Sequence, residues 1–207
     1  MQEWIGYLLA TVVAGVVLLI VQSASFRGQE AAVAGVQYRA AKGNAIDMAS
    51  MMSRDFRNIG ANYPNYPLDP QMSIVQYDTV AWPHVFRFVA QIEKGQPPDT
   101  VEYRWSPADS VDLGGTTVAG FSLERWVGGG GSAYLSGANS NSITHLTISL
   151  EKSDGGAIVD PWDTRQIAVD MRSVSTLGAS SLVNETRWNE VIHPMHLARL
   201  DGIPEPN

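Results

Sequence analysis

The sequence predicts an α+β protein in which one long N-terminal helix packs by its C-terminal half on an antiparallel β-sheet. Three observations carry this prediction. No proline occurs before Pro64, and apolar residues keep helical spacing over that stretch. After Pro70 apolar residues alternate with polar ones, which is the period of a half-buried strand. Gly and Asp punctuate the alternating runs, which favours short turns between antiparallel neighbours.

Composition is consistent with one domain of ordinary size plus an N-terminal appendage. The chain has 207 residues, of which 44% are hydrophobic and 17% charged, and its formal net charge is −7. This acidity offers no basic footprint for nucleic acid. The absence of Cys excludes disulfides, thiol catalysis and Cys-based metal sites. Core packing alone must therefore hold the folded domain together.

The charge-free run Trp4–Val21 admits three interpretations: a cleaved signal peptide, a membrane anchor, or the front half of a long helix. A signal peptide has a basic start and an apolar stretch of about 7–15 residues. Residues 1–3 contain no Lys or Arg and the apolar run is longer, although residues 23–25 resemble a cleavage site. A transmembrane helix needs about 20 apolar residues and accepts about 17. We therefore expect an uncleaved transmembrane helix over residues 1–25.

The helical pattern continues to Ile59, so residues 26–60 are expected to be an amphipathic continuation of the same helix. One apolar stripe recurs at spacings of three and four, and we expect it to pack on the sheet: Ala45, Met48, Met52, Phe56 and Ile59. The charged residues of this segment, Asp55 among them, lie mostly off the stripe. Gly60 and the turn-rich residues after it end the helix. The apolar front half is expected to project from the domain.

Five alternating runs define an antiparallel β-domain expected over residues 61–179. They read HVFRFVAQIEK, TVEYRW, FSLERW, ITHLTISLEK and RQIAVDMRSV. Their apolar face needs a cover, and the helix stripe supplies one. The stretch VGGGGSAYLSGANSNS (127–142) is expected to be a flexible loop, because it lacks the Gly-Lys-Ser/Thr ending of a phosphate-binding loop. Residues 180–207 are expected to form a polar tail.

The sequence contains only weak candidates for catalytic or metal-binding sites. His193 and His196 form an H-x-x-H pair, but zinc needs three or four ligands. Asp154, Asp160 and Asp163 are calcium candidates, although an ordinary turn is the simpler interpretation. The sequence contains no Gly-x-Ser-x-Gly nucleophile elbow. We therefore expect no enzymatic activity and no cofactor.

The organisation resembles that of type IV pilins and type II secretion pseudopilins, and in particular their minor, PilW- or pseudopilin J-like members. YLLATVVAGVVLLIV is similar to the family's apolar N-terminal helix. ASMMSRDFRNIGANY is similar to its helix end, where an Arg-Asp pair, a second basic residue and a small-residue stop recur. TVEYRW, FSLERW, ITHLTISLEK and TRQIAVDMRSV follow the family's order of strands, in which a Tyr-containing strand precedes a Leu-x-Arg strand. The resemblance covers residues 3–175.

The resemblance implies a filament subunit that sits in the bacterial inner membrane before assembly and in a periplasmic or extracellular filament afterwards. Its partners would be other pilin-like subunits. Close helix packing in the filament core would use three small residues: Ala10, Ala14 and Gly15. A minor, tip or initiating subunit is expected rather than a bulk subunit.

The first six residues depart from the family pattern. The family usually carries Glu at the fifth mature position, within the apolar run, to neutralise the α-amino group of a neighbour. Setting IGYLLA against the usual IEVLLA places Gly6 there, and Glu3 is the nearest acid. The family's leader is short and basic and ends in Gly. Either that leader has been removed and Met1 is the mature N-terminus, or the chain is a leaderless relative.

Two further functions stay open beside the filament subunit. The chain is alternatively a single-pass membrane-anchored β-domain that binds a partner in an envelope or virion assembly. In that case only the hydrophobicity of residues 4–21 matters, not their order. The third interpretation is an anchored hydrolase that uses His193 or His196.

Overall fold

The structure is a computed structural model. It describes residues 2–61, 73–93, 96–112, 115–136, 142–176, 183–194 and 197. Helix α1, Gln2–Arg57, is 56 residues long and has no proline, in keeping with the unbroken helical pattern of the sequence. The chain divides into two compact units, Met1–Ala40 and Ala41–Asn207. This division falls within the segment 26–60 that was expected to form one amphipathic continuation.

The helix ends before the predicted Ile59, because Gly60 turns the chain toward the sheet. Gly60 has a φ of +74°, a left-handed conformation that Gly adopts without steric penalty. Its N–H donates to the carbonyl oxygen of Val89 over 2.9 Å. Ile59 forms an isolated antiparallel bridge with Ala90. The end of α1 is thereby joined by backbone contacts to the strand that contains Val89 and Ala90.

Eight antiparallel strands form one sheet in the second unit. The strands are β1 Ile74–Asp78, β2 His84–Ala90, β3 Asp99–Asp112, β4 Thr117–Val127, β5 Gly130–Ser136, β6 Ser142–Glu151, β7 Gln166–Thr176 and β8 Val183–Ile192. Their order is β1-β2-β3-β4-β6-β7-β8, and β5 pairs with β4 outside this path. Within the described sheet, β1 and β8 are the end strands of this path, and β5, which pairs with β4 alone, is a further edge strand. A long helix followed by an antiparallel sheet confirms the α+β class.

One face of the sheet packs with the C-terminal part of α1 to form the hydrophobic core. Along β2, buried Phe86 and Phe88 alternate with half-buried residues, as the two-residue period of a strand requires. In β6 and β7 the buried residues at this spacing are Leu146, Ile148, Leu150, Ile167, Val169 and Met171. The opposite face is polar. There Glu102 accepts hydrogen bonds from Arg87, at 2.5 Å, and from Arg104.

Each of the five alternating runs contains a strand, namely β2, β3, β4, β6 and β7, so these strand predictions are confirmed.

Two other expectations are wrong. The stretch 127–142, expected to be a loop, contains β5 after a tight turn in which Gly128 and Gly129 have φ values of +63° and +69°. The polar tail expected over 180–207 contains β8, which pairs with β7 along its whole length. The inward side of β8 breaks apolar alternation because it carries Thr186, Trp188, Glu190 and Ile192.

Candidate functional site

The apolar segment Trp4–Val21 lies within α1, and its described side chains are exposed. Trp4 is 78% exposed and Tyr7 is 74% exposed. By length and composition this one helix is able to cross a membrane. So large an apolar surface indicates contact with lipid or with another protein, because monomeric soluble proteins rarely expose one.

Among the described residues, nothing packs closely against the small residues of this segment. A Cβ added at Gly6 or at Gly15 meets no atom within 4 Å. Ala10 and Ala14 are likewise exposed. Met1 and the side chain of Glu3 lie outside the described part of the structure, so the structure does not locate the predicted charge at the start of the helix. In the part of the chain that the structure describes, a side chain at position 6 or 15 would therefore meet open space.

The five stripe residues lie in the core of the second unit. Their exposed fractions run from 0 to 3%: Ala45, Met48, Met52, Phe56 and Ile59. The Phe56 ring makes edge-on contacts with three rings of the sheet, at centroid distances of 5.4 Å to Phe86, 5.5 Å to Phe88 and 5.4 Å to Tyr103. Edge-to-face pairs add about 0.5–1.5 kcal/mol each to the free energy gained from burial. Phe56 is thus the apolar centre of the contact between α1 and the sheet.

Asp55 is buried beside this centre, with 1% of its surface exposed. Its Oδ2 accepts hydrogen bonds from the hydroxyl of Tyr103 over 2.8 Å and from Nε of Arg125 over 2.6 Å. Tyr103 lies on β3 and Arg125 opposite it on β4. Nη2 of Arg54 is 3.4 Å from the other carboxylate oxygen. One carboxylate of the helix therefore binds two neighbouring strands, and we call Asp55, Tyr103 and Arg125 the Asp55 cluster.

Burial and the neighbouring charges shift the pKa values of Tyr103 and Arg125. Burial, with the charge and hydrogen bond of Asp55, raises the pKa of Tyr103 well above its usual value. Burial by itself lowers the pKa of Arg125, but the hydrogen bond and charge of Asp55 outweigh it, so that pKa is raised. Tyr103 stays neutral and Arg125 stays charged at neutral pH. Within the described residues, Nη2 of Arg125 is buried without a hydrogen-bond partner.

A groove of about 610 Å³ lies between the C-terminal part of α1 and the inner side of β8. Its floor includes Met171 and Trp188, and Ile46, which is 53% exposed, lies on its helix side. Arg57 donates to Glu190 over 2.7 Å at the rim. The helix residues that line it are Ala45, Ile46, Ala49, Ser50, Ser53, Arg54 and Arg57. We call this surface the α1–β8 groove.

The predicted metal candidates do not assemble into a site. Asp154 is used in a turn, where its Oδ1 accepts the N–H of Gly156 over 2.9 Å. Asp160 and Asp163 flank and end a 3-10 turn, Pro161–Asp163, in which the N–H of Asp163 donates to the carbonyl of Asp160. In the described ranges, no group of three or more His, Cys, Asp or Glu residues is placed to hold a metal ion. His193 is exposed, and His196 lies outside the described residues.

The sequence interpretation missed the Asp55 cluster, because it placed Asp55 with the charges off the stripe. The structure corrects this placement. Asp55 is three residues from Met52 and four from Ile59, which puts it on the buried face of the helix. This spacing is the feature of the sequence that indicates burial of Asp55. Its partner Arg125 is 70 residues away, at a position that no local pattern reveals.

Comparison of the chain with protein-family models, with curated proteins and with solved structures finds no match.

Proposed function

We propose that this chain is a structural subunit of a type IV pilus-like or pseudopilus filament, as a minor, tip or initiating component. The observation that carries the proposal is that a single helix, α1, combines an exposed apolar segment with a buried stripe. The first property serves membrane insertion and helix packing between subunits. The second property fastens the same helix to a folded domain.

The proposed mechanism is an exchange of contacts. Before assembly the segment Trp4–Val21 lies in the inner membrane, and in the filament it packs against the corresponding helices of other subunits in the periplasm or outside the cell. Lipid tails and apolar side chains are equally apolar, so packing and small residues must drive the exchange. Gly6 and Gly15 support this mechanism, because both lie on the exposed apolar segment and an added Cβ at either position meets no described atom within 4 Å. No catalytic step and no cofactor form part of the proposal.

The minor or initiating role is supported by position 6. The resemblance places Gly6 where related subunits usually carry a Glu that pairs with the α-amino group of a neighbour. A subunit without this acid leaves that neighbour's charge without its usual partner, and an unpaired charge in apolar surroundings is costly. Such a subunit fits the end of a filament better than its interior.

The test is to shuffle the order of residues 4–21 while keeping their composition. Membrane insertion depends on overall hydropathy and should survive, whereas helix packing depends on which residues lie on which face. We expect the shuffled chain to fractionate with membranes as the native chain does, and to be absent from sheared filament or pseudopilus fractions. Equal recovery of both chains in those fractions would contradict the proposal.

A second candidate function is a single-pass anchored β-domain that binds a partner in an envelope or virion assembly. The observation that favours it is that the apolar helix meets the requirements for a membrane span without any partner helix. Replacement of Gly15 by Leu, with Val16→Leu as the matched control, separates the two functions. Loss of assembly in Gly15→Leu alone supports helix packing, and unimpaired partner binding in both variants supports simple anchoring.

A further inference from the structure

Strand β8 presents a long and regular edge that faces away from β7. All ten residues of β8 pair with β7, and the register does not shift between Val183 and Ile192. In an antiparallel strand, every second residue points its N–H and C=O away from a given neighbour. Within the described residues, no backbone hydrogen bond joins this outer edge to another segment. Such an edge is a template for pairing with a further strand.

The other two edge strands carry features that hinder pairing, and β8 lacks them. β1 has five residues, and its register with β2 shifts between Ile74 and Gln76. β5 has seven residues, and its register with β4 shifts at two places. Short length and bulges are two of the ways in which proteins protect sheet edges. β8 is longer than either strand, has no register shift, and contains no Pro or Lys.

Two charged side chains of β8 are engaged by neighbouring residues of the same domain. Arg187 donates two hydrogen bonds to the carboxylate of Asp170, over 3.2 and 2.8 Å. Glu190 accepts hydrogen bonds from Ser53 over 3.1 Å and from Arg57 over 2.7 Å. Because these partners balance the two charges, neither charge is left to repel an incoming strand.

The α1–β8 groove lies beside this edge, on the inner side of the sheet. Thr186 and Trp188 line it and are half-buried, whereas Ile192, further along the strand, is buried. On the helix side, a second stripe recurs at spacings of four and three next to the buried stripe: Ile46, Ser50, Ser53 and Arg57. Because strand side chains alternate between two faces, a strand added to β8 would point every second side chain toward this groove.

The charges of the groove favour an acidic occupant. Among the described residues of its lining, three cations, Arg54, Arg57 and Arg187, stand against one acid, Glu190. This excess of positive charge occurs in a chain of net charge −7. Arg54 is 55% exposed, and its contact with Asp55 is 3.4 Å long. A guanidinium has several N–H donors, so Arg54 keeps donor capacity for a carboxylate of an occupant.

We propose that β8 and the α1–β8 groove bind an extended segment of a different protein chain. The segment adds to the sheet as a further strand beside β8. It places alternate apolar side chains against Trp188 and Ile46, and a carboxylate beside Arg54. In this mode of recognition the backbone hydrogen bonds give affinity, and the pockets for alternate side chains give specificity. Trp188 is the anchor on this chain, because Trp is enriched among the residues that dominate binding energy.

Two other occupants fit the groove less well. A second copy paired β8 to β8 would bring two grooves of the same charge together, and like charges across an interface cost free energy. The chain's own residues 198–207 contain Pro204 and Pro206, which cannot donate to a sheet ladder. An acidic segment of a different chain avoids both problems.

This inference goes beyond the proposed function and does not rest on helix packing by residues 4–21. A contact with a different chain ends at one partner, so it agrees with a minor, tip or initiating subunit. It holds equally for an anchored domain that binds a partner.

Disulfide trapping of a synthetic peptide tests the proposal, because the native chain has no Cys. The peptide is as long as β8, has capped ends, alternates Val with Thr and Glu, and carries one Cys at its centre. The full chain in detergent micelles carries Asn189→Cys on β8 or, as the control, Thr147→Cys on β6. Both positions are exposed, and they lie in one row across the sheet through Asp170 of β7. A disulfide requires Cα atoms within about 7 Å, so only position 189 is close enough to a strand added at β8.

We expect Asn189→Cys to link to the peptide at a yield at least tenfold above that of Thr147→Cys. The same peptide with all its backbone amides N-methylated cannot donate to a ladder, and it should link no better than the control. Equal yields at the two positions, or equal linkage of the methylated and unmethylated peptides, would overturn the proposal.

Two further results would assign the edge to another occupant and overturn the proposal as well. Linkage of Asn189→Cys chains to one another, at a higher yield than their linkage to the peptide, would identify a second copy. A tenfold rise in peptide linkage after removal of residues 198–207 would identify the chain's own C-terminal segment.

The groove contacts are tested by substitutions in the Asn189→Cys chain. Arg54→Gln should lower the yield of linked peptide at least threefold. Arg172→Gln removes a cation of similar exposure from the opposite face of the sheet and should leave the yield unchanged. Ile46→Ala should also lower the yield, whereas Val75→Ala, at a similarly exposed apolar position on β1, should not.

Equal unfolding midpoints for all four variants would show that a lower yield reflects weaker binding rather than loss of the fold. Equal yields from each substitution and its control would contradict the placement of the peptide in the groove.

Discussion

At the scale of single residues, the main feature is a carboxyl group buried inside an aromatic core. Asp55 lies next to Phe56 in sequence and is as deeply buried, yet Tyr103 and Arg125 satisfy one of its oxygens. A buried pair of this kind contributes little net stability compared with apolar residues of the same volume. Removal of one partner is different, because it leaves the other charge buried without compensation. We therefore expect the cluster to favour one arrangement of helix and strands over others.

Asp55→Ala should destabilise the second unit by about 3–5 kcal/mol, since Arg125 would stay buried without its counterion. Glu190→Ala, which breaks the more exposed pair with Arg57, should lower the free energy of unfolding by about 1 kcal/mol or less. Urea unfolding of the full chain in detergent measures both values. Similar losses in the two variants would show that the Asp55 cluster is not an effectively buried ion pair.

The raised pKa of Tyr103 predicts a specific loss of stability in alkali. Below pH 10, the ordinary pKa of tyrosine, the phenol is neutral in both the folded and the unfolded chain, so its contribution is constant. Above pH 10 the unfolded chain releases this proton while the folded chain keeps it. The free energy of unfolding then falls by about 1.4 kcal/mol per pH unit, up to the raised pKa. Tyr103→Phe should lack this component, and parallel pH profiles for the two chains would contradict the assignment.

At the scale of elements, the connection between helix and sheet depends on one left-handed residue. Gly60 has a φ of +74° and donates its N–H to β2, so the chain leaves α1 in a direction that an L-residue adopts only with strain. The glycines within α1, by contrast, have the helical backbone conformation that an L-residue adopts without strain. Gly43, for example, has helical geometry and no atom within 4 Å of an added Cβ.

The same substitution should therefore have opposite effects at these two glycines. Gly60→Ala should lower the free energy of unfolding by about 1–2 kcal/mol, because Ala is strained at positive φ. Gly43→Ala should raise it by up to about 1 kcal/mol, because Ala is the better helix former. Thermal unfolding of the full chain, followed by circular dichroism, compares the two. A gain of stability in Gly60→Ala would mean that this residue does not end the helix in the way described.

Elements with apolar periodicity were predictable from the sequence, and elements without it were not. The C-terminal part of the helix and the five central strands carry apolar residues at the spacing of their own secondary structure, because each is buried along one face. β8 is an edge strand whose inward side mixes Thr186 and Glu190 with Trp188, since the helix covers it only in part. β5 begins in a run of glycines that reads as a loop. The Asp55 cluster required knowledge of which strands meet, which the sequence does not provide locally.

At the scale of the whole molecule, the core lies entirely within one of the two compact units. Every core residue found in the described ranges comes from Ala45 or later, while the first unit, Met1–Ala40, exposes its described side chains almost throughout. The fold of the second unit thus draws its described packing from residues after Ala41. The described hydrophobic core and the exposed apolar segment therefore lie in different units.

A chain that begins at Ala41 should keep the cooperative unfolding transition and the near-ultraviolet circular dichroism of the full protein in aqueous buffer. A chain that begins at Met52 should lose them, because it lacks the buried Ala45, Met48 and Ala49. Unfolding followed by tryptophan fluorescence provides the measurement. Failure of the longer fragment to fold would show that residues before Ala41 contribute to the core.

The way α1 is fastened determines how the second unit bears mechanical tension. A pull on α1 from its amino-terminal side reaches the sheet at the last turns of the helix. Contacts to four strands share the load there: Gly60 with β2, Asp55 with β3 and β4, and Arg57 with β8. When a force is shared among parallel attachments, all of them must break at once, whereas attachments in series break one at a time. A domain tethered in this way resists being stripped from its helix.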